Sequence, residues 1–445
     1  MLSVKIVSCL IRLRRRVSYN LEKHFIKPEN SHGANKIGLF TKSSILIYTK
    51  KRIPSVGIGL EEEKNQMRIV IDGRYINDNF PGIGRYTYNL IRALGLLDTG
   101  DEFIILINSK LSNRRFDINA IGDLPGCHLV DCGVSRFLPA ELLQLPKVIR
   151  RLRPSVYHSP FFLLPYPIPC PTIVSLHDLI PLKYPQSVNG FTSRITSWIG
   201  IRLACRLSAI IVTPSTSSAK TICEWGAHLK KRIYIIPDAP DPHFHPRPSN
   251  EIEGMRKKLG LRGPYILYVG THLPHKNLNQ LILAWAHLQK TAQRRKHPHR
   301  LIIAGRQNPQ FPEAYELVEK IGFESSIRFI GAVDEEDLPA LYSGADLFVF
   351  PSKLEGFGLP VIEAMACCTP VICSDIQSLR EITGDAAWMI DPENTFSLAN
   401  AIDKLLSDPQ LRHFLAEKGL ARSSDFTWKA TADATYRLYC RAALK

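Results

Sequence analysis

Glu355-Gly356-Phe357-Gly358-Leu359-Pro360-Val361-Ile362-Glu363-Ala364-Met365-Ala366, preceded by the apolar run Asp346-Leu347-Phe348-Val349-Phe350-Pro351-Ser352, is the stretch that decides the fold. The apolar run reads as a buried parallel strand, which needs no polar alternation because both of its faces are covered. Gly356 and Gly358 let the backbone turn with its N–H groups unshielded, and Pro360 suits the start of a helix, where a missing N–H costs nothing. Strand, glycine turn and helix in that order place a helix N-terminus above a sheet edge. Its unpaired N–H groups and positive dipole end form a ready anion site, of a size for a nucleotide diphosphate.

Glu355 falls on the expected loop and Glu363 about one turn into the expected helix, so the two carboxylates are not expected to do the same job. A carboxylate accepts two hydrogen bonds side by side, which suits the paired hydroxyls of a sugar or a ribose. Spacing alone equally allows an exposed loop residue and a helix glutamate favoured by the dipole.

A chain of 445 residues has length for two to three domains and an ample core. With 45% hydrophobic and 22% charged residues it has the composition of a globular protein, and no apolar stretch approaches the ~20 residues of a membrane span. The ten cysteines include no C-x-x-C pair, so neither a zinc site nor a disulfide framework is expected, and a reducing cytoplasm is the simplest home. The net charge of +16 is uneven: residues 1–66 hold 13 Lys/Arg against 5 Asp/Glu, residues 67–245 hold 20 against 13, and residues 246–445 hold 24 against 23. A basic first half favours anionic surfaces, either a membrane face or an acidic ligand. The chain contains no recognisable nucleic-acid module and no basic run interleaved with aromatics, so no nucleic-acid partner is expected.

Residues 1–66 have no sustained period and read as a weakly ordered basic extension, or as sequence ahead of a true start at Met67. From Met67 to Gly73 runs a first strand, followed by Gly82-Ile83-Gly84-Arg85-Tyr86 as a glycine loop entering a helix. The full G-x-G-x-x-G with a downstream acid is missing, which argues against a dinucleotide site. Strands continue to alternate with helices, which implies a parallel sheet. In Thr172-Ile173-Val174-Ser175-Leu176-His177-Asp178, His177 stands where a buried strand ends, the place where such sheets bind ligands, although the residues alone equally allow a loop histidine hydrogen-bonded by Asp178. Five prolines at 237, 240, 242, 246 and 248 mark a linker between domains of residues 67–245 and 246–427, with a last helix over 428–445. The second domain opens on the strand Tyr265–Val269, then Gly270-Thr271-His272-Leu273-Pro274-His275-Lys276, then a helix for which Asn277 is the expected cap. Gly331 to Val333 end a later strand beside the proposed site, and Asp334 with Asp337 reads as a helix start.

Taken together, the Glu355–Ala366 string, the His177-Asp178 segment and the loop ending in Lys276 resemble the group 1, family 4 retaining glycosyltransferases. The resemblance runs over about residues 67–445. It implies an α/β GT-B fold, two facing Rossmann-like doubly wound domains with an interdomain cleft. It further implies transfer of a sugar from a nucleotide-sugar donor to a saccharide or lipid-linked acceptor, with retained configuration. In this reading Glu355 holds the donor sugar, Glu363 the ribose and His177 the sugar from the opposite domain. Lys276 meets the diphosphate, with Gly82, Gly84, Thr271, His275, Val333, Gly356, Phe357, Gly358 and Leu359 around the donor. The family often has arginine before that lysine and after the strand glycine, where this chain has His275 and Thr271. The loop is closest to mannosyltransferases of surface polysaccharide assembly. No D-x-D occurs, so neither a metal nor another cofactor is expected. The expected location is the cytoplasm, with peripheral contact at an anionic membrane face. Two rivals remain at this level: a glycoside hydrolase using Glu355 and Glu363 as acid and nucleophile, and an anionic-surface or nucleic-acid binder on a decayed enzyme fold.

Overall fold

The computed structural model describes residues 66–136, 141–164, 166–188, 190–291 and 298–444. The basic segment 1–65 lies outside them. Seven parallel strands form the first sheet: β1 Arg68–Asp72, β2 Glu102–Ile107, β3 Cys127–Asp131, β4 Val156–Ser159, β5 Thr172–Ser175, β6 Ile210–Thr213 and β7 Ile233–Ile235, in the order β3-β2-β1-β4-β5-β6-β7. Six more form the second: β8 Tyr265–Val269, β9 Arg300–Ala304, β10 Ile327–Gly331, β11 Leu347–Phe350, β12 Val371–Ser374 and β13 Trp388–Ile390, in the order β10-β9-β8-β11-β12-β13.

Each sheet reverses its order at one point, between β1 and β4 and between β8 and β11. Helices leave such a point on opposite faces, so the loops after its two strands diverge and open a crevice. Lys276 follows β8 and Glu355 follows β11, so the second sheet's crevice is flanked by these two residues. The inner strands are buried along their length, as Ile266, Leu267 and Phe348 at the β8–β11 contact illustrate. The first sheet is covered partly by the Pro81–Gly95 helix and by the last helix, Trp428–Ala443, whose Trp428, Leu438 and Tyr439 share a core with Tyr86 and Leu90.

Three local expectations are corrected. Gly82 and Gly84 sit in the first turn of the Pro81–Gly95 helix rather than in a loop before it, because Pro81 is itself accommodated at N1. Asn277 does not cap the next helix: it takes a left-handed φ of 60°, and its amide donates to the carbonyls of Pro351 and Pro392. Asp337 precedes the Leu338–Ser343 helix without a capping hydrogen bond, since its carboxylate is taken by Lys258 at 2.5 Å. Among the described residues no helix is long and apolar enough to cross a membrane.

Candidate active site

The loops after β8 and β11, the Leu359–Ala366 helix and the carboxyl edge of the first sheet enclose a cleft of about 360 Å³. On the second-sheet side, Gly358 is the N-cap of that helix with φ +117°, a conformation in which L side chains are strained. No side chain caps this helix start; Pro360 has no N–H and Val361 N–H turns back to the Gly358 carbonyl at 2.9 Å, so the positive dipole end and the N–H of Leu359, a cleft-lining residue, are what the helix offers a ligand. Lys276 leans over the Phe350 ring and donates from Nζ to Glu355 Oε1 at 2.6 Å. Cation and carboxylate thus stand together at the entrance to the β8–β11 crevice.

Glu363 is buried deeper, 1% exposed, and accepts a hydrogen bond from Tyr342 at 3.2 Å. Its principal partner comes from the other half of the protein, Arg85 of the Pro81–Gly95 helix. Arg85 also pairs with Glu335, which Arg115 grips from its other oxygen at 2.6 Å. Burial pushes the Glu363 carboxyl up while Arg85 pulls it back. Burial likewise opposes the Arg85 charge, but Glu363 and Glu335 more than restore it. An arginine from the first domain therefore occupies the carboxylate that the family resemblance assigns to a ribose.

Across the cleft, the first sheet contributes His177 after β5 and Asp238 after β7. Tyr86 meets the His177 ring edge-on at 4.4 Å between centroids, and its hydroxyl joins the buried chain Tyr86–Ser175–His158–Tyr439 with contacts of 2.7 to 2.8 Å. Burial lowers His177 to about 4, so its ring is neutral at pH 7. Gly356 brings the two halves into backbone contact: a Cβ there would lie 2.2 Å from the His177 carbonyl oxygen, and its own carbonyl accepts from Ser215 Oγ at 2.6 Å.

His177, Gly82, Thr271, Lys276, Val333, Glu355, Gly356, Phe357, Gly358, Leu359 and Glu363 all line this one cleft. Gly84 and His275 do not. Gly84 is buried with the Phe116 ring against it, and His275 is buried with its Nδ1 at 3.1 Å from Ser187 Oγ. Sequence reasoning passed over Arg85, Arg115, Asp238, Arg306 and Glu335, which also line it. Arg306 was open to discovery, since with Gly305 it directly follows β9, in the loop that corresponds to the one carrying Lys276 after β8. Arg115 and Glu335 sit in loops with no local signal, and their role comes from a partner 220 residues away. Among the described residues no group of three His, Cys, Asp or Glu side chains is placed to hold a metal ion.

Comparison with known proteins gives this geometry its family. The model of glycosyl transferases group 1 matches residues 251–422, and that of Glycosyltransferase Family 4 matches residues 81–244. The O-antigen chain mannosyltransferase B of Escherichia coli is 29% identical over 397 residues, covering 84% of this chain and 99% of its own. The serotype-specific mannosyltransferase WbdA of Escherichia coli is 30% identical over 401 residues, covering 82% of this chain but 47% of its own length. Among solved structures, sucrose-phosphate synthase from Thermosynechococcus elongatus superposes with a TM-score of 0.66 at 21% identity, over 84% of this chain and 99% of its own. Anabaena HepE, solved with UDP and glucose, superposes with a TM-score of 0.65 at 18% identity, over 84% of this chain and 100% of its own. These two likenesses speak to the fold, and the two family models speak to both halves of the sequence. The chain belongs to the group 1, family 4 glycosyltransferases and has their two-domain GT-B architecture.

Proposed function

We propose that this glycosyltransferase moves a sugar, with mannose favoured, from a nucleotide sugar to an acceptor hydroxyl with retained configuration and without a divalent metal, in surface polysaccharide or glycolipid assembly. The observation that carries the reading is the convergence of Lys276, Glu355 and the uncapped N-terminus at Gly358 on the β8–β11 crevice, with His177 opposite. Lys276 and the positive end of the Leu359–Ala366 helix supply fixed positive charge where a departing diphosphate gains negative charge. Glu355 accepts hydrogen bonds from hydroxyls of the transferred sugar, and Glu363 from those of the ribose once Arg85 has released it. In the reaction the acceptor oxygen bonds to the anomeric carbon on the face from which the phosphate oxygen leaves. The anomeric C–O bond breaks, and the acceptor's proton passes to that phosphate oxygen. Mannose and the polysaccharide context are supported by relatives whose names are those of mannosyltransferases, one of them acting on an O-antigen chain.

The acceptor side of the reading includes contact with an anionic membrane. It is supported by the Gly190–Leu207 helix, which exposes Phe191, Leu203 and Leu207 beside Arg194, Arg202 and Arg206. Flotation with vesicles rich in anionic lipid tests this separately, and equal recovery with neutral vesicles removes it. The experiment for the main reading is calorimetry against GDP-, UDP- and ADP-sugars, followed by transfer assays in excess EDTA. One nucleotide class should bind and turnover should persist in EDTA. No binding to any of them overturns the reading, and activity abolished by EDTA and restored by Mn²⁺ overturns its metal-independent part.

A further inference from the structure

Asp238 lines the cleft at the end of β7, 4% exposed, with its Oδ2 at 3.9 Å from His177 Nδ1. Its second oxygen, Oδ1, is buried with no hydrogen-bond partner, and so is Nε2 of His177. Burial without a partner costs free energy that folding normally avoids, so an unpartnered carboxyl oxygen on a residue of the cleft wall calls for a ligand. Among the described residues no hydrogen bond ties the Asp238 carboxyl to the fold. Its peptide is already fixed by Thr431 of the last helix, whose hydroxyl donates to the Pro237 carbonyl at 2.8 Å. The hydroxyl of Tyr86, the neighbouring polar group, is taken by Ser175.

We propose that Asp238 is a further substrate-contact residue, whose free Oδ1 holds a carbohydrate hydroxyl in the cleft beside His177. A hydroxyl suits a carboxyl in either protonation state, being donor and acceptor at once. Burial pushes Asp238 up to about 8 and His177 down to about 4, so near pH 7 the carboxyl keeps its proton and the ring is neutral. The two then present one O–H donor and open lone pairs, the pattern that a neutral sugar needs. The hydroxyl belongs either to the transferred sugar or to the acceptor, and the inference rests on the nucleotide-sugar reading above.

The test uses the full chain with Asp238→Ala and the near-isosteric Asp238→Asn. The probes are GDP, GDP-mannose and a mannose-terminated oligosaccharide, or the nucleotide and nucleotide sugar that the wild type prefers in the panel. Asp238→Ala should slow transfer by on the order of 10- to 100-fold, the scale of a lost buried hydrogen bond to substrate. Asp238→Asn, which keeps an N–H donor and an oxygen acceptor, should recover most of it. Affinity for the free nucleotide should not change. If the donor's hydroxyl is held, Asp238→Ala weakens GDP-mannose relative to GDP. If the acceptor's is held, both bind as before and the KM for the oligosaccharide rises. The melting temperature should stay level or rise, because an unpartnered buried carboxyl has been removed. Unchanged transfer in Asp238→Ala, or a fall in transfer matched by a fall in melting temperature, overturns the inference. A wild type that binds no nucleotide sugar overturns the underlying reading and this inference with it.

Discussion

At the scale of single residues, the decisive fact is that the cleft's opposite charges are paired with one another. Lys276 donates to Glu355, so each residue's mutation also releases its partner. Glu355→Gln should cut turnover at least tenfold while leaving nucleoside diphosphate affinity equal or higher, since Lys276 is then free for phosphate. Lys276→Ala should weaken the diphosphate by about 1.5 to 3 kcal/mol, the worth of a hydrogen bond to a charged group, and the loss should shrink as salt rises. Titration calorimetry at two salt concentrations checks both. Equal weakening of diphosphate by the two variants would mean that Glu355 touches the nucleotide rather than the sugar. Asp238 carries a pH signature as well. Its folded carboxyl titrates near 8 and an unfolded one near 3.8, so between those values the folded state binds the extra proton and stability falls as pH rises. His177 and His158, lowered to about 4 and 3 from 6.5, act in the opposite sense only below pH 6.5, and Asp178, raised to about 6, is largely spent above it. From pH 6.5 to 8 the wild type should therefore lose melting temperature relative to Asp238→Asn, and the gap should level off above 8. Parallel curves would show that Asp238 is ionised throughout.

The strand-turn-helix element around Gly358 needs its glycine for two reasons. Its φ of +117° suits no L side chain, and a Cβ would lie 2.5 Å from Leu379 Cδ2. Gly358→Ala should cost about 1 to 3 kcal/mol of stability, the range for a residue forced into a sparse backbone region, and should weaken diphosphate by tilting the helix start. Urea unfolding and calorimetry measure the two effects, and a variant with wild-type values in both would remove the helix N-terminus from the site. This element is also where the sequence was most legible. Leu347–Phe350 is an unbroken apolar run, Gly358 and Pro360 have one conformational use each, and so strand, turn and helix follow from local chemistry alone. Lys276 and His177 were legible for the related reason that each follows directly on a readable strand. What lay beyond reach depends on distant partners or weak local signals. β13 is three residues, Trp388–Ile390, at a sheet edge with no alternation to announce it. His275 stands next to Lys276 in sequence yet turns away to Ser187, because the Pro274–Lys276 turn rotates successive side chains around its axis. Asp238 looked like linker among prolines, and only the fold brings it opposite His177.

For the whole molecule, the question is what holds the two sheets' halves together before a ligand arrives. Arg85 bridges from the first half to Glu363 and Glu335 of the second, Arg115 reinforces Glu335, and Glu381 accepts from the backbone N–H groups of Thr216 and Ser217 at 2.7 and 3.2 Å. Of these, the Arg85–Glu363 pair lies deepest and lines the site itself, so under the proposed ribose role of Glu363 closure and donor binding compete for one carboxylate. Removing one member of a buried pair leaves the other charge stranded, at a cost of about 3 to 5 kcal/mol if the surroundings cannot rearrange. If the halves part about the proline-rich segment after β7, water reaches Glu363 and relieves that cost. Arg85→Ala should therefore not unfold the protein but should shift it toward an open form, with a larger radius of gyration in small-angle scattering without ligand. A nucleotide sugar bridging Glu363 and His177 binds only the closed form with both contacts, so adding it should bring the radius back toward the wild-type value. Transfer should fall, because closure must then be drawn from donor binding, while affinity for the free nucleotide rises as its carboxylate is no longer occupied. Arg85→Lys, which keeps the charge but cannot reach both glutamates with a planar fork, should fall between the two. A radius of gyration unchanged in Arg85→Ala would assign closure to Glu381 and the Gly356–Ser215 contact instead, and Arg85 would then be a donor competitor without being a latch.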